Sequence, residues 1–281
     1  KVAKNSSGYS LKDLLVGSEG TLAIITQLIL KLIPMPKKAI SLLIPFSSLD
    51  KCIEAVPGII QSRTAPTAVE FMQREVIEEA EKYLGKNFPD KSSDAYLLLT
   101  FDGNSTEEIE KIYDDTAQLC LSLGAADVYI SDTEERQESI WSARGAFLEA
   151  IKSSTDEMDE CDVVVPRDKI AVFMKFVNSV ENRYEVRIRS FGHAGDGNLH
   201  VYVCRDGMES DLWHKQLDSI MNELYEKAVE LEGQVSGEHG IGHAKKNFLR
   251  QSLGETQLSL MKSIKLCFDP KNILNPGKVC C

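Results

Sequence analysis

Between Ser41 and Ser131 the spacing of apolar residues switches repeatedly between the period of a strand and that of a helix, and no other feature restricts the fold as much. Ser41–Phe46 reads as a short apolar strand, and Ser47-Ser48-Leu49-Asp50 supplies N-cap chemistry for a helix to about Gln61. A strand at Thr67–Met72, a charged helix at Gln73–Leu84, a strand at Tyr96–Phe101, a helix at Ser105–Leu123 and a strand at Val128–Ser131 follow. This β-α-β-α-β-α-β order predicts an α+β fold: a ferredoxin-like cap domain, an antiparallel sheet with packed helices. Further on, the pattern predicts a helix at Thr133–Ser153, a strand at Val163–Val165, a helix from Pro166, a hairpin over 186–204, a long helix over 211–232 and a final helix near 256–266. Upstream, Gly17-Ser18-Glu19-Gly20-Thr21 is a glycine-punctuated loop, and the apolar run Leu22–Leu30 reads as a strand pair. Pro34-Met35-Pro36 cannot continue a ladder, because proline lacks the donor, so a domain boundary is expected there.

Composition removes several classes of function. With 32 Lys and Arg against 43 Asp and Glu, the net charge of -11 disfavours a nucleic-acid backbone as main partner. The most apolar window, Gly20–Leu30, is shorter than the roughly 18–20 residues of a membrane span. The seven cysteines form no C-x-x-C, which signals neither a disulfide framework nor a built-in iron–sulfur or zinc ribbon, and a reducing, cytoplasmic setting is expected.

The most informative stretch is Val186–Cys204, where alternating strands flank Asp196-Gly197. Asp-Gly between such strands is a hairpin signal, since a type I′ turn needs positive φ at both central residues. A two-residue turn there places Gly195 opposite Asn198, Ala194 opposite Leu199 and His193 opposite His200, close enough for two ring nitrogens to share one ion. Alternation then puts Val186, Ile188, Ala194, Leu199, Val201 and Val203 on a core face, with Arg187, Arg189, Phe191, His193, His200 and Tyr202 on the other. The competing reading is a surface hairpin whose histidines meet only water.

Three glycines in Gly237-Glu238-His239-Gly240-Ile241-Gly242 exclude a regular element and let the backbone bend closely around something. Glu238 can add the oxygen ligand that joins two imidazoles in a three-ligand site with an open position, leaving His239 as a proton acceptor; a salt bridge beside the helix is the plainer alternative for Glu238. Arg144 sits at the centre of the stripe Ile140, Phe147, Leu148 and Ile151 and therefore points inward. An inward guanidinium needs an anion, either a substrate carboxylate or an internal acidic residue. On this reading alone, a metal-dependent hydrolase and a non-catalytic metal-binding module remain alternatives to a redox enzyme.

Four blocks nonetheless resemble the FAD-linked 2-hydroxy acid dehydrogenases related to D-lactate dehydrogenase, the glycolate oxidase flavin subunit and D-2-hydroxyglutarate dehydrogenase. They are Gly8–Leu22, the histidine hairpin, Gly237–Gly242 and Phe268–Lys278, in order over essentially the whole chain. The resemblance implies that residues 1–36 are the C-terminal end of an FAD-binding domain, 37–266 a substrate- and metal-binding cap domain, and 267–281 a segment returning to the flavin domain. The chain then reads as a C-terminal fragment, inactive without the rest of that domain. Implied roles are His193, His200 and Glu238 as ligands of a divalent metal (Zn, Mn or Fe) and His239 as catalytic base. Arg144 becomes the substrate-carboxylate clamp, with Tyr202 and the two histidines lining the substrate, and Gly20, Thr21, Ile24, Ile25, Asn275 and Lys278 lie near FAD. The implied reaction is metal-assisted oxidation of a D-2-hydroxy acid to the 2-oxo acid, with hydride passing to the flavin. Leu148 and Tyr202 stand where relatives acting on 2-hydroxyglutarate carry further polar groups, which points to a short acid such as lactate or glycolate. The electron acceptor would be an electron-transferring flavoprotein, an iron–sulfur subunit or a quinone, and the sequence leaves room for a homodimer.

Overall fold

A computed structural model describes residues 2, 5–64 and 66–280. The chain divides into two compact units, Met35–Gln234 and the combination of residues 1–34 with 235–281. The first break falls beside the Pro34-Met35-Pro36 stop. Residues 235–266, expected with the cap domain, cluster with the N-terminal segment instead.

In the smaller unit a short helix α1 (Leu11–Leu15) precedes the glycine loop. The expected strand pair at Leu22–Leu30 does not form: the segment makes no ladder, and Ile24, Leu28, Ile29 and Leu30 are exposed. A strand needs a neighbour to take up its N–H and C=O groups, and among the described residues this run has none.

The larger unit is built on β1 (Lys38–Phe46), α2 (Leu49–Gln61), β2 (Ala68–Gln73), α3 (Arg74–Leu84), β3 (Ala95–Gly103), α4 (Thr106–Ser122) and β4 (Tyr129–Ser131). These match the alternation read from the sequence, and Ser48 caps α2 as expected, its hydroxyl accepting from Lys51 N. There follow α5 (Glu134–Gly145), α6 (Phe147–Ser153), β5 (Met158–Val164), a 3₁₀ turn at Arg167–Lys169, α7 (Ile170–Tyr184), β6 (Arg187–His193), β7 (Asn198–Cys204) and α8 (Ser210–Glu230). All strands pair antiparallel in one sheet of order β4-β1-β3-β2-β6-β7-β5. The first four give the ferredoxin-like order, and the histidine hairpin extends it from the free edge of β2.

Two elements differ from the sequence reading in ways that bear on the site. The single helix expected over 133–153 breaks at Ala146, next to Gly145, so Arg144 lies at the end of α5 while Phe147 opens α6. The strand expected at Val163–Val165 runs from Met158, because acidic residues at Asp159, Glu160 and Asp162 mask its apolar pattern. Helices cover both faces of the sheet. On one, Leu43, Met72, Tyr96, Leu98, Phe191, Tyr202 and Cys204 pack with Val76, Ile77 and Ala80 of α3, Ile140 of α5 and Phe147 and Ile151 of α6. The alternate residues, among them Leu97, Leu99, Ile188, Val201 and Val203, are equally buried, and α2, α4, α7 and α8 lie against β1, β3, β6 and β5. The hairpin is thus a central part of the core, with chemistry enclosed on one of its faces, and the surface-hairpin alternative drops out.

The chain closes in the smaller unit with α9 (Lys246–Phe268), interrupted at Gly254, whose φ of 75° is non-helical; its second half covers the predicted final helix. Among the described residues no helix is long and apolar enough to cross a membrane.

Candidate active site

The hairpin turn is two residues wider than expected. His193 pairs with Asn198, and His200 with Phe191, so Ala194–Gly197 form a four-residue loop. The cause is β2: Gly195 N donates to Val69 O at 3.1 Å and is unavailable to the hairpin, while Asp196 N and Gly197 N both donate to His193 O at 3.0 Å. A register change of two keeps every side chain on its own face, whereas a change of one would have turned the rings apart. His193 and His200 are therefore diagonal rather than directly opposed neighbours, with ring centroids 5.7 Å apart and planes at 82°. A ring nitrogen of one lies within 4.8 Å of a ring nitrogen of the other.

Each imidazole is oriented by a carboxylate that the sequence reading did not single out. Nδ1 of His193 donates to Oε1 of Glu70 at 2.7 Å, and Nδ1 of His200 to Oε1 of Glu160 at 2.9 Å. An ionised carboxylate only accepts, so each Nδ1 turns its N–H to a carboxylate and Nε2 is the ring nitrogen turned away from that acid. Register explains the contacts: Glu70 is paired with His193 across β2 and β6, and Glu160 faces Tyr202 across β5 and β7 with Asp162 facing His200. The Tyr202 hydroxyl also donates to Glu160 Oε1, at 2.9 Å. Burial and that carboxylate push the Tyr202 phenol up, so it stays protonated.

Arg144 reaches the same network from α5. Its Nε and Nη2 donate to Oε2 of Glu70 at 3.1 and 2.8 Å, and its guanidinium carbon stands 4.6 Å over the Phe191 ring. The inward direction expected from the stripe is therefore found, together with the internal acidic partner. Among the described residues, Nη1 has no hydrogen-bond partner. Glu70, only 6% exposed at its side chain, thus ties His193 to Arg144. Burial opposes its charge, yet the hydrogen bond from His193 and the Arg144 guanidinium prevail and hold its carboxyl below the usual range. Three carboxylates, Glu70, Glu160 and Asp162, share this face beside one nearby guanidinium. The other arginines of the face, Arg187 and Arg189, lie further along β6 and are engaged by Glu79, with Asp206 also on Arg187. Leu148, at the edge of the cluster, and Tyr202, 2% exposed, add no spare polar group.

The remaining expected residues belong to the smaller unit. Glu238 and His239 lie in the glycine bend, with His239 Nε2 3.7 Å from Glu238 Oε1. The bend closes around a side chain of its own unit, Glu19, whose two carboxylate oxygens accept from Ile241 N and Gly242 N. Gly20, Ile24, Ile25 and Asn275 come together as the lining of one cleft of about 540 Å³, with Gly17, Ala23 and Ile273. Thr21 turns its hydroxyl onto Ser18 O at 2.7 Å, and Lys278 is exposed, its amide on Asn275 O.

Residues 35–279 match the family model for FAD linked oxidases, C-terminal domain. A D-lactate dehydrogenase of Anaerostipes hadrus is 50% identical over 99% of this chain and 60% of its own length. The glycolate oxidase subunit GlcD of Bacillus subtilis is 36% identical over 99% of this chain and 59% of its own. The chain thus spans about three-fifths of these relatives. A structure of p-cresol methylhydroxylase with substrate bound shares the fold, at a TM-score of 0.68 and 15% identity, over 88% of this chain and 53% of that one.

Proposed function

Since this chain belongs to the family of FAD linked oxidases, C-terminal domain, we propose that it forms the substrate-holding part of an enzyme oxidising a short D-2-hydroxy acid, of lactate or glycolate type, to the 2-oxo acid. One observation carries the reading: two neighbouring imidazoles, each fixed through Nδ1 by a carboxylate, stand beside an inward arginine that retains a free amino group. Two neighbouring imidazoles among three carboxylates are a donor set that suits a divalent transition metal, and the likeness to D-lactate dehydrogenase and the glycolate oxidase subunit supports the substrate class.

His193 and His200 would hold the ion through Nε2, and Glu238 is proposed from the sequence motif as the third ligand. The cleft of Gly20, Ile24, Ile25 and Asn275 offers apolar side chains and peptide groups, a lining that suits the edge of a flavin ring. When bound, the metal supplies Lewis acidity toward the substrate oxygens and FAD accepts the hydride. The chain's own residues supply position and proton transfer. Nη1 of Arg144 binds the substrate carboxylate, while Phe191 and Glu70 keep the guanidinium from turning. His239 takes the proton of the 2-hydroxyl. Leu148 and the fully engaged Tyr202 offer nothing to a second carboxylate, which favours a short acid over a dicarboxylate.

The test is dye reduction by the complete FAD-loaded protein with D- and L-lactate, glycolate and D-2-hydroxyglutarate, before and after chelation. Turnover of D-lactate or glycolate that disappears with chelator and returns with Zn²⁺ or Mn²⁺ is expected. Preference for the dicarboxylate, or activity indifferent to chelator, would overturn the substrate or the metal assignment respectively.

A further inference from the structure

The bend that carries Glu238 and His239 is held by a residue 222 positions upstream in sequence. Oε1 of Glu19 accepts from Ile241 N at 2.8 Å and Oε2 accepts from Gly242 N at 2.7 Å, one oxygen for each of two successive amides. We propose that Glu19 is a positioning residue whose carboxylate clamps this backbone and so sets where Glu238 and His239 stand. The proposal rests on the roles given to those two residues above.

The local backbone is shaped around the carboxylate. Gly240 has a φ of +81°, and a Cβ there would sit 2.8 Å from Oε1 of Glu19, so the glycine is required by the clamp as well as by its own conformation. Glu19 is itself left-handed, with a φ of 53°, a conformation that a non-glycine residue keeps only when its surroundings impose it. What imposes it is visible. Asn275 Nδ2 donates to Glu19 O at 2.7 Å, and a Cβ on Gly20 would meet that same nitrogen at 2.8 Å. Asn275 is anchored in turn by the loop before it: Lys265 Nζ donates to Leu274 O at 2.7 Å, and Asp269 accepts from Ile273 N and Leu274 N. On the far side of the bend, Val279 N donates to Gly242 O at 2.8 Å. The strained positions Glu19, Asn275 and Val279 thus gather around one bend whose next residues upstream are the proposed ligand and base.

A carboxylate is specifically suited to this task. Two adjacent amides need two acceptors, and glutamine offers one acceptor and one donor, so Glu19→Gln turns one of the two contacts into N–H facing N–H. The same substitution leaves side-chain length unchanged.

The experiment compares wild type, Glu19→Gln and Gly240→Ala in the FAD-loaded protein by amide hydrogen exchange, Mn²⁺ titration and the pH profile of turnover. The clamp predicts exchange at Ile241 and Gly242 faster by about tenfold or more in both variants, with sheet amides such as Leu98 and Val201 unaltered. Positioning predicts Mn²⁺ affinity lower by roughly 10–100-fold and a displaced acid limb of the pH profile. Unchanged exchange at Ile241 and Gly242 would overturn the clamp. Faster exchange with wild-type Mn²⁺ affinity and pH profile would show a loop staple only, and overturn the positioning role. Gly240→Ala keeps the test open should Glu19→Gln fold poorly. A wild type that binds no Mn²⁺ would instead sink the metal reading, and the positioning role would then be decided by exchange and the pH profile alone.

Discussion

Nδ1 of His193 and Oε1 of Glu70 stand 2.7 Å apart, and the other oxygen of the same carboxylate holds Arg144. One buried acid therefore determines both which nitrogen of His193 faces a carboxylate and where the guanidinium points. Glu70→Gln brings these two roles into conflict. The amide oxygen goes to Arg144, its stronger donor, and the amide NH₂ then faces Nδ1 of His193, moving the ring proton to Nε2. Metal affinity should fall by roughly 10–100-fold, measured by titration with Zn²⁺ or Mn²⁺ under competing chelator. An unchanged affinity would show that His193 does not bind through Nε2.

Arg144 yields a prediction of opposite character. Arg144→Ala strips Glu70 of its charged partner at a site where the carboxylate is 6% exposed, and a buried charge left without one costs about 3–5 kcal/mol. Pairing the change with Glu70→Gln removes that charge, so the double variant should regain much of the loss in urea denaturation. Turnover should not return, because the substrate carboxylate has lost its clamp in both. Recovery of activity in the double variant would remove Arg144 from substrate binding.

The layout of the sheet was legible because the longer strands of the first half are rich in apolar residues and three of its helices open on a hydroxyl that caps them, Ser48, Ser105 and Thr133. The histidine pair survived an error in the turn because its face depends only on whether the register moves by an odd or even number of residues. Less legible was anything whose signal lay in a partner. Glu160 and Asp162 made β5 look like a polar loop when they stood opposite Tyr202 and His200 in the sheet, Asp162 fully buried and Glu160 half-buried. Glu70, set between the buried Val69 and Phe71, did carry a usable signal: an acid in mid-strand needs a counter-charge from another element. The apolar run after Gly20 misled in the other direction, since hydrophobicity and β-propensity do not make a strand without a neighbour to pair with.

Gly197 should be the least replaceable position of the hairpin. Its φ is +81°, and a Cβ built on it lands 2.1 Å from the carbonyl oxygen of Val165. Gly197 O in turn accepts from Val165 N at 3.0 Å, which leaves little room for retreat. Gly197→Ala combines a left-handed alanine with a backbone clash, costing about 2–4 kcal/mol in chemical denaturation. Gly145→Ala, where a Cβ meets nothing within 4 Å, is the control and should be close to neutral. Equal effects at the two sites would mean that the loop is not closed in this way.

Acid should loosen the smaller unit through Asp269. Burial works against its charge, but the Lys265 ammonium and the amides of Leu274 and Ile273 pull its carboxyl down to about 2 from 3.8. A group whose folded value lies below its unfolded one stabilises above the unfolded value, and the contribution drains away as pH falls through the folded one. Wild type should therefore lose this support between about pH 4 and pH 2. Asp269→Asn never has it: the asparagine leaves the Lys265 ammonium buried without a counter-charge, as protonation of the aspartate does in wild type. Melting curves of the two proteins should consequently be well separated at pH 7 and draw together as pH approaches 2. A separation that stays constant over the whole range would assign the aspartate's contribution to hydrogen bonding that an amide reproduces poorly at any pH, rather than to its charge.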